Sequence, residues 1–142
     1  MDPKSALAFS NRGIAYYGKK DYDKAISDNN EAIRLDPKSA SAYHNRGLAY
    51  YGKSDYDKAI TDYNEAIRLK PDYADAYHNR GIAYANKRDF DKAIGNYTMA
   101  IRLIPDYAPA FRNRGLAYQS QRKLDKAKAD FAKAAELEKA AQ

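Results

Sequence analysis

The chain has 142 residues, 44% hydrophobic and 31% charged, with a formal net charge of +6 and a pI of about 9.3. This composition excludes a disordered chain, and no run approaches the ~18 apolar residues of a membrane span. Cysteine is absent, which excludes disulfides, thiol catalysis and cysteine-based zinc sites. No basic stretch followed by an apolar one stands after Met1, so no secretory leader is visible; the lack of cysteine fits a reducing compartment, the cytoplasm being favoured. The basic excess raises nucleic acid as a partner, but it is diluted by neighbouring acids, as in Asp23-Lys24, Asp57-Lys58, Asp91-Lys92 and Asp125-Lys126. A solvated mixed face is the better reading, and nucleic acid stays an accessory alternative.

In chain order the sequence divides into four units, 6–39, 40–73, 74–107 and 108–141. The period of 34 residues is set by Gly13, Gly47, Gly81 and Gly115 and by Pro3, Pro37, Pro71 and Pro105. Aromatics recur at Phe9, Tyr43, Tyr77 and Phe111 and at Tyr16, Tyr50, Tyr84 and Tyr118. Alanines recur at Ala25, Ala59, Ala93 and Ala127 and at Ala32, Ala66, Ala100 and Ala134. Unit two shows the local logic. Ala42, Tyr43, Leu48, Ala49 and Tyr50 stand at helical spacings, and so do Ala59, Ile60, Tyr63, Ala66 and Ile67. Asp55 is expected to cap the second helix, Pro71 to stop it, and Asp72 to cap the next one, with Asp75 three residues on. Each unit is therefore two helices joined by a short turn. A mid-helix glycine costs about 1 kcal/mol against alanine. Four at one position imply close approach of two helices, with tyrosines filling the space beside the small residues.

The ends differ. Asp2-Pro3-Lys4-Ser5-Ala6 copies Asp36-Pro37-Lys38-Ser39-Ala40, the tail of a unit, so the chain starts as if cut from a longer array or as a first unit without a cap. Unit four replaces Ile26, Ile60 and Ile94 by Lys128, and Ile33, Ile67 and Ile101 by Ala135. A final helix near 125–140 with a polar outer face is the expected terminal cap. A regular arginine, Arg12, Arg46, Arg80 and Arg114, stands sixteen residues before Asp28, Asp62, Asn96 and Asp130. We expect Arg–Asp pairs across the two helices in units one, two and four, with the arginine stem packed.

The run Tyr43-x2-Arg46-Gly47-x2-Tyr50, then Ala59-x3-Tyr63, then Pro71 resembles the tetratricopeptide repeat (TPR) pattern, and the likeness spans the whole chain. Two departures are regular. The family's leucine before the glycine is arginine here, and its glycine between the helices is Lys20, Ser54, Arg88 or Arg122. The resemblance implies an all-α, right-handed superhelical solenoid of four helix pairs, 1–142 as one domain. It further implies a non-enzymatic scaffold whose first helices line a concave groove for a protein or peptide partner.

The residues that fall on that inner face are Ser10, His44, His78 and Arg112; Asn11, Asn45, Asn79 and Asn113; Ile14, Leu48, Ile82 and Leu116; and Tyr17 and Tyr51, with Ala85 and Gln119 at the same position. Leu7, Ser41, Asp75 and Pro109 complete it. An asparagine amide both donates and accepts, so four of them along a groove could hold a peptide backbone. They resemble the asparagine ladders of armadillo proteins and of the O-GlcNAc transferase TPR domain. A purely structural role within each unit is the competing reading. The positions of the family's carboxylate clamp hold Ser10, Ile14, Asn45, Asp75 and Asn79, of which only Asn45 matches, so a chaperone C-terminal tail is disfavoured. No third ligand repeats with His44 and His78, so no metal is expected, and no catalytic constellation or phosphate loop calls for a cofactor. Self-association through the first repeat, as a monomer in weak exchange with homo-oligomers, is the second functional reading.

Overall fold

A computed structural model describes residues 3–142, with side chains from Ser5 onward. Its elements are eight helices: α1 (Pro3–Gly18), α2 (Tyr22–Leu35), α3 (Ala40–Gly52), α4 (Tyr56–Leu69), α5 (Ala74–Asn86), α6 (Phe90–Leu103), α7 (Ala108–Ser120) and α8 (Leu124–Ala140). They form four helix pairs and no strand occurs among the described residues, so the fold is all-α as expected. The chain divides into two compact units that meet in sequence at Pro71 and Asp72, the boundary between the second and third repeats. In the first unit α1 packs on α2, α2 on α3 and α3 on α4; in the second α5 packs on α6, α6 on α7 and α7 on α8.

The repeated small residues make this packing possible. Ala25, Ala32, Ala42, Ala49, Ala59 and Ala66 are fully buried in the first unit, and Ala76, Ala83, Ala93, Ala100 and Ala110 in the second. A methyl group on Gly47 would sit 2.6 Å from Cε1 of Tyr63, and one on Gly81 2.7 Å from Cε1 of Tyr97. The glycine is thus the surface on which the aromatic ring of the paired helix lies. In the first repeat the ring is replaced by Asn29, whose Nδ2 would lie 2.5 Å from a methyl on Gly13 and donates to the Ala25 carbonyl at 2.9 Å.

The expected arginine pairs are present. Arg12 meets Asp28 through two bonds of 2.8 Å, Arg46 meets Asp62 at 2.8 and 2.7 Å, and Arg114 meets Asp130 through two bonds of 2.8 Å. Arg80 donates to Asn96 at 2.7 Å in the repeat that lacks the carboxylate. Each guanidinium also lies over the aromatic ring three residues earlier: Phe9, Tyr43, Tyr77 and Phe111, at 5.4, 5.5, 5.3 and 5.5 Å from the centroid. A planar cation held between a ring and a fork of oxygens is what arginine supplies and leucine does not.

The helix ends hold two corrections. Asp21, Asp55 and Asp89 cap α2, α4 and α6 by accepting from the Lys24, Lys58 and Lys92 amides at 3.2 Å. Asp72, however, does not cap α5. Its N-cap is Tyr73, which makes no side-chain cap bond, whereas Ser39 at the equivalent place caps α3. The helix begins one residue later than Asp72 would require. At the start of the chain, α1 is already helical from Pro3, whereas Pro37 stands in a turn, so the copied segment does not copy the conformation. Proline at a first helical position loses no bond, because its N–H would have no partner there. Asp2 of that segment lies outside the described residues.

Candidate functional site

In the first unit the first-helix face comes from α1 and α3. Leu7 and Ile14 are 59% and 49% exposed, and Asn11 lies in solvent beside them. Leu48, Tyr17 and Tyr51 are half-buried; Tyr17 packs on Tyr22 and Tyr51 on Tyr56, with ring centroids 5.8 and 5.5 Å apart. Ser10, His44 and Asn45 are buried. Asn45 donates to the Ser10 hydroxyl at 3.0 Å, and Ser10 donates to Asn29 at 3.3 Å. In the second repeat, His44 lies against the Tyr63 ring at 5.7 Å. Position and partner therefore vary together: serine opposite Asn29, histidine opposite Tyr63. The Tyr63 ring is fully buried and its hydroxyl has no hydrogen-bond partner. Burial, with Tyr17 and Tyr51 nearby, pushes that phenol well above its usual range.

The second unit presents α5 and α7. His78 is buried and lies against the Tyr97 and Tyr107 rings, at 5.8 and 5.0 Å. Asn113 Nδ2 is 2.9 Å from its Nε2, and the Tyr107 hydroxyl is 3.3 Å from its Nδ1 and donates to exposed Asp75 at 2.8 Å. A neutral ring with its proton on Nδ1 satisfies this set of contacts. Burial lowers the His78 pKa, opposed by Asp75 and by the Pro109 backbone. Asn79 is half-buried, Leu116 is 49% exposed, and Arg112 lies in solvent and pairs with Glu138. Ile82 and Leu116 flank a hollow of about 260 Å³ whose wall includes Phe90 and Tyr97.

The sequence-predicted residues thus separate into three groups, of which Tyr17, Leu48, Tyr51, Asn79, Ile82 and Asn113 are the half-buried one. Leu7, Asn11, Ile14, Leu116 and Arg112 offer themselves to solvent, whereas Ser10, His44, Asn45 and His78 are packed between helices. Asn45 and Asn113 bond to the residue 35 positions earlier, in the preceding repeat. Neither a ligand nor a partner within one unit, the two roles expected of the asparagine, is this link between successive repeats, whose sequence signal is the common spacing of Ser10 to Asn45 and His78 to Asn113. The hollow was missed too; its signal was the change from Tyr17 and Tyr51 to Ala85. Among the described residues no cluster of three or more His, Cys, Asp or Glu could hold a metal ion, and no helix is long and apolar enough to cross a membrane.

Models of the tetratricopeptide repeat match the chain over 6–39 and 74–107, and related TPR models match 30–61, 53–87 and 108–140. No match was found among curated protein sequences. A crystal structure of MamA is similar at 33% identity and a TM-score of 0.88, covering 97% of this chain and 81% of that one. The first TPR of Spaghetti (RPAP3), bound to the HSP90 peptide SRMEEVD, is similar at 26% identity and a TM-score of 0.83, covering 86% and 97%. The Arabidopsis OM64 TPR domain is similar at 26% identity and 0.77, covering 85% and 97%.

Proposed function

The chain belongs to the tetratricopeptide repeat family, and from that premise we propose that it is a non-enzymatic scaffold holding a peptide or protein segment against the face of its first helices. The observation that carries this reading is the exposure of Leu7 and Ile14 on α1 in the first unit and of Leu116 on α7 in the second, between 49% and 59%. Large aliphatic side chains left in water beside Asn11 and Arg112 suit an extended partner with apolar side chains. An acidic tail such as the one held by the RPAP3 domain is a poor fit. Ser10 and Asn45 are bonded to each other, and Asp75 would repel a carboxylate.

The test uses the exposed residues, because replacing buried Asn45 would change packing as well as binding. A phage-displayed random peptide library is panned on the wild type and on Ile14→Glu/Leu116→Glu. Peptides enriched by the wild type are expected to lose affinity for the variant while its circular dichroism is unchanged. Equal affinity for both proteins would remove the reading.

A second reading, self-association through the first repeat, is favoured by the state of Arg12. On α3, Arg46 reaches back to Asn30 of α2 at 2.9 Å, and on α7, Arg114 reaches Thr98 of α6 at 3.1 Å. The Arg12 side chain is 58% exposed, against 22% and 17% for those two, and with Ser5, Ala8 and Phe9 it lines an open hollow of about 260 Å³. In this reading a helix of a second copy docks on that surface. Light scattering across a concentration series tests it, and a constant monomer mass would remove it.

A further inference from the structure

We propose that the hollow between α5, α6 and α7 is a side-chain pocket for one aromatic ring of the bound segment, an inference that rests on the peptide-binding reading above. Its apolar wall is Ile82, Ala85, Phe90, Tyr97, Leu116 and Ala117. The polar lining groups already have partners: Asn86 donates to the Ile82 carbonyl at 2.9 Å, Ser120 to the Leu116 carbonyl at 3.1 Å, and Asn113 lies on His78. Tyr97 is only 2% exposed and half-exposed Leu116 is an apolar lip. The volume, about 260 Å³, is below the ~300–1,000 Å³ of ordinary small-molecule sites. It fits one large side chain better than a cofactor.

The first unit identifies the shape of the guest. Residues 68 positions earlier build the same corner from Ile14, Tyr17, Tyr22 and Leu48. There Tyr17 stands in the place of Ala85 and lies against Tyr22, the equivalent of Phe90, at 5.8 Å. The corner is so crowded that a methyl on Gly52, the equivalent of Ser120, would lie 2.3 Å from Cε1 of Tyr22. In the third repeat the tyrosine is alanine, and the space its ring would take is the hollow. The chain thus fills this position with its own aromatic ring in one unit and leaves it open beside Phe90 in the other. A guest ring tilted against Phe90 would repeat the Tyr17–Tyr22 contact.

The experiment follows amide shifts of the full chain by ¹H–¹⁵N NMR during titration with p-cresol, in the wild type and in Ala85→Tyr. The variant restores the ring that residue 17 carries in the first unit; because Ser120 stands where that unit has Gly52, Ala85→Leu is a second, smaller filling that serves if the tyrosine is not tolerated. Saturable shifts at Ala85, Phe90 and Leu116 are expected in the wild type, with affinity at least ~10-fold weaker in the filled variants, the scale on which hydrophobic pockets discriminate. Shifts that are absent, or unchanged by filling, would overturn the pocket. Panning the peptide library on wild type and Ala85→Tyr separates the two readings. Enrichment of groove-binding peptides without an aromatic residue, held equally by both proteins, removes the pocket and keeps the groove. Cresol binding lost on filling, with no peptide enriched, keeps the pocket and removes the groove.

Discussion

Tyr63 is where the repeat's packing rule and its hydrogen-bonding rule conflict. The ring is needed to cover Gly47, yet the hydroxyl is buried without a partner, a state that costs about 1–3 kcal/mol. The fourth repeat uses Phe131 over Gly115 at the same place. Tyr63→Phe is therefore expected to stabilise the protein by ~1 kcal/mol in denaturant unfolding; a loss of stability would mean that the hydroxyl is satisfied. His78 carries the opposite case, a buried group with both ring nitrogens engaged. Its pKa is held below the ordinary 6.5, so the unfolded chain takes up its proton first as the pH falls. The stability from the neutral ring is complete above 6.5 and is lost as acid drives the pH below that value. Thermal midpoints should fall between pH 7 and pH 5, and His78→Gln should flatten that slope. An identical slope in the variant would assign the effect elsewhere. The burial of His78 and Ser10 was not legible in the sequence because it comes from partners 19 and 35 residues away. One-helix periodicity places a residue on a face but does not say how deep that face lies.

At the scale of the helix pair, the repeated glycines, alanines, capping aspartates and Arg–Asp spacing were readable because each obeys a rule contained within one repeat. The Asp72 cap was not, since Asp72 and Tyr73 compete for a boundary that sequence fixes only to within a residue or two. The turn inside each pair adds a cost that the sequence did flag. Lys20, Ser54, Arg88 and Arg122 hold φ of 61°, 61°, 65° and 60°, where the family pattern has glycine. A side chain in this region costs about 1–2 kcal/mol, while glycine adds about 0.5–1 kcal/mol of unfolded-state entropy. Ser54→Gly should thus gain roughly 0.5–1 kcal/mol net. Ser54 is the position of choice because Arg88 also covers the Phe90 ring at 5.3 Å. A midpoint that stays put or drops on thermal unfolding would show that the turn is not strained.

For the whole molecule, the four-fold period that made the fold legible also distributes the charge, and this bears on the choice between the proposed protein partner and a nucleic-acid one. Of 25 basic residues against 19 acidic ones, many cations are held close to a carboxylate. Arg12, Arg46 and Arg114 are bound to Asp28, Asp62 and Asp130, and Lys24, Lys58 and Lys92 lie 3.4, 3.7 and 3.7 Å from Asp21, Asp55 and Asp89. The exposed Lys–Asp pairs add little stability, but every pair, including those on buried Asp28, Asp62 and Asp130, removes a cation from the pool that could replace counterions along a phosphate backbone. In the proposed reading, a partner would meet the exposed apolar residues of the first helices, Leu7, Ile14 and Leu116, and not a basic stripe. A labelled single-stranded RNA should therefore bind only at low ionic strength, with a shallow salt slope equivalent to ~2–3 phosphate contacts, and should be released near ~150 mM salt. Fluorescence anisotropy at a series of salt concentrations measures both quantities. Retention of the RNA at that ionic strength, with a steep slope, would mean that the net charge of +6 is focused, and the protein-scaffold reading would give way to a nucleic-acid one.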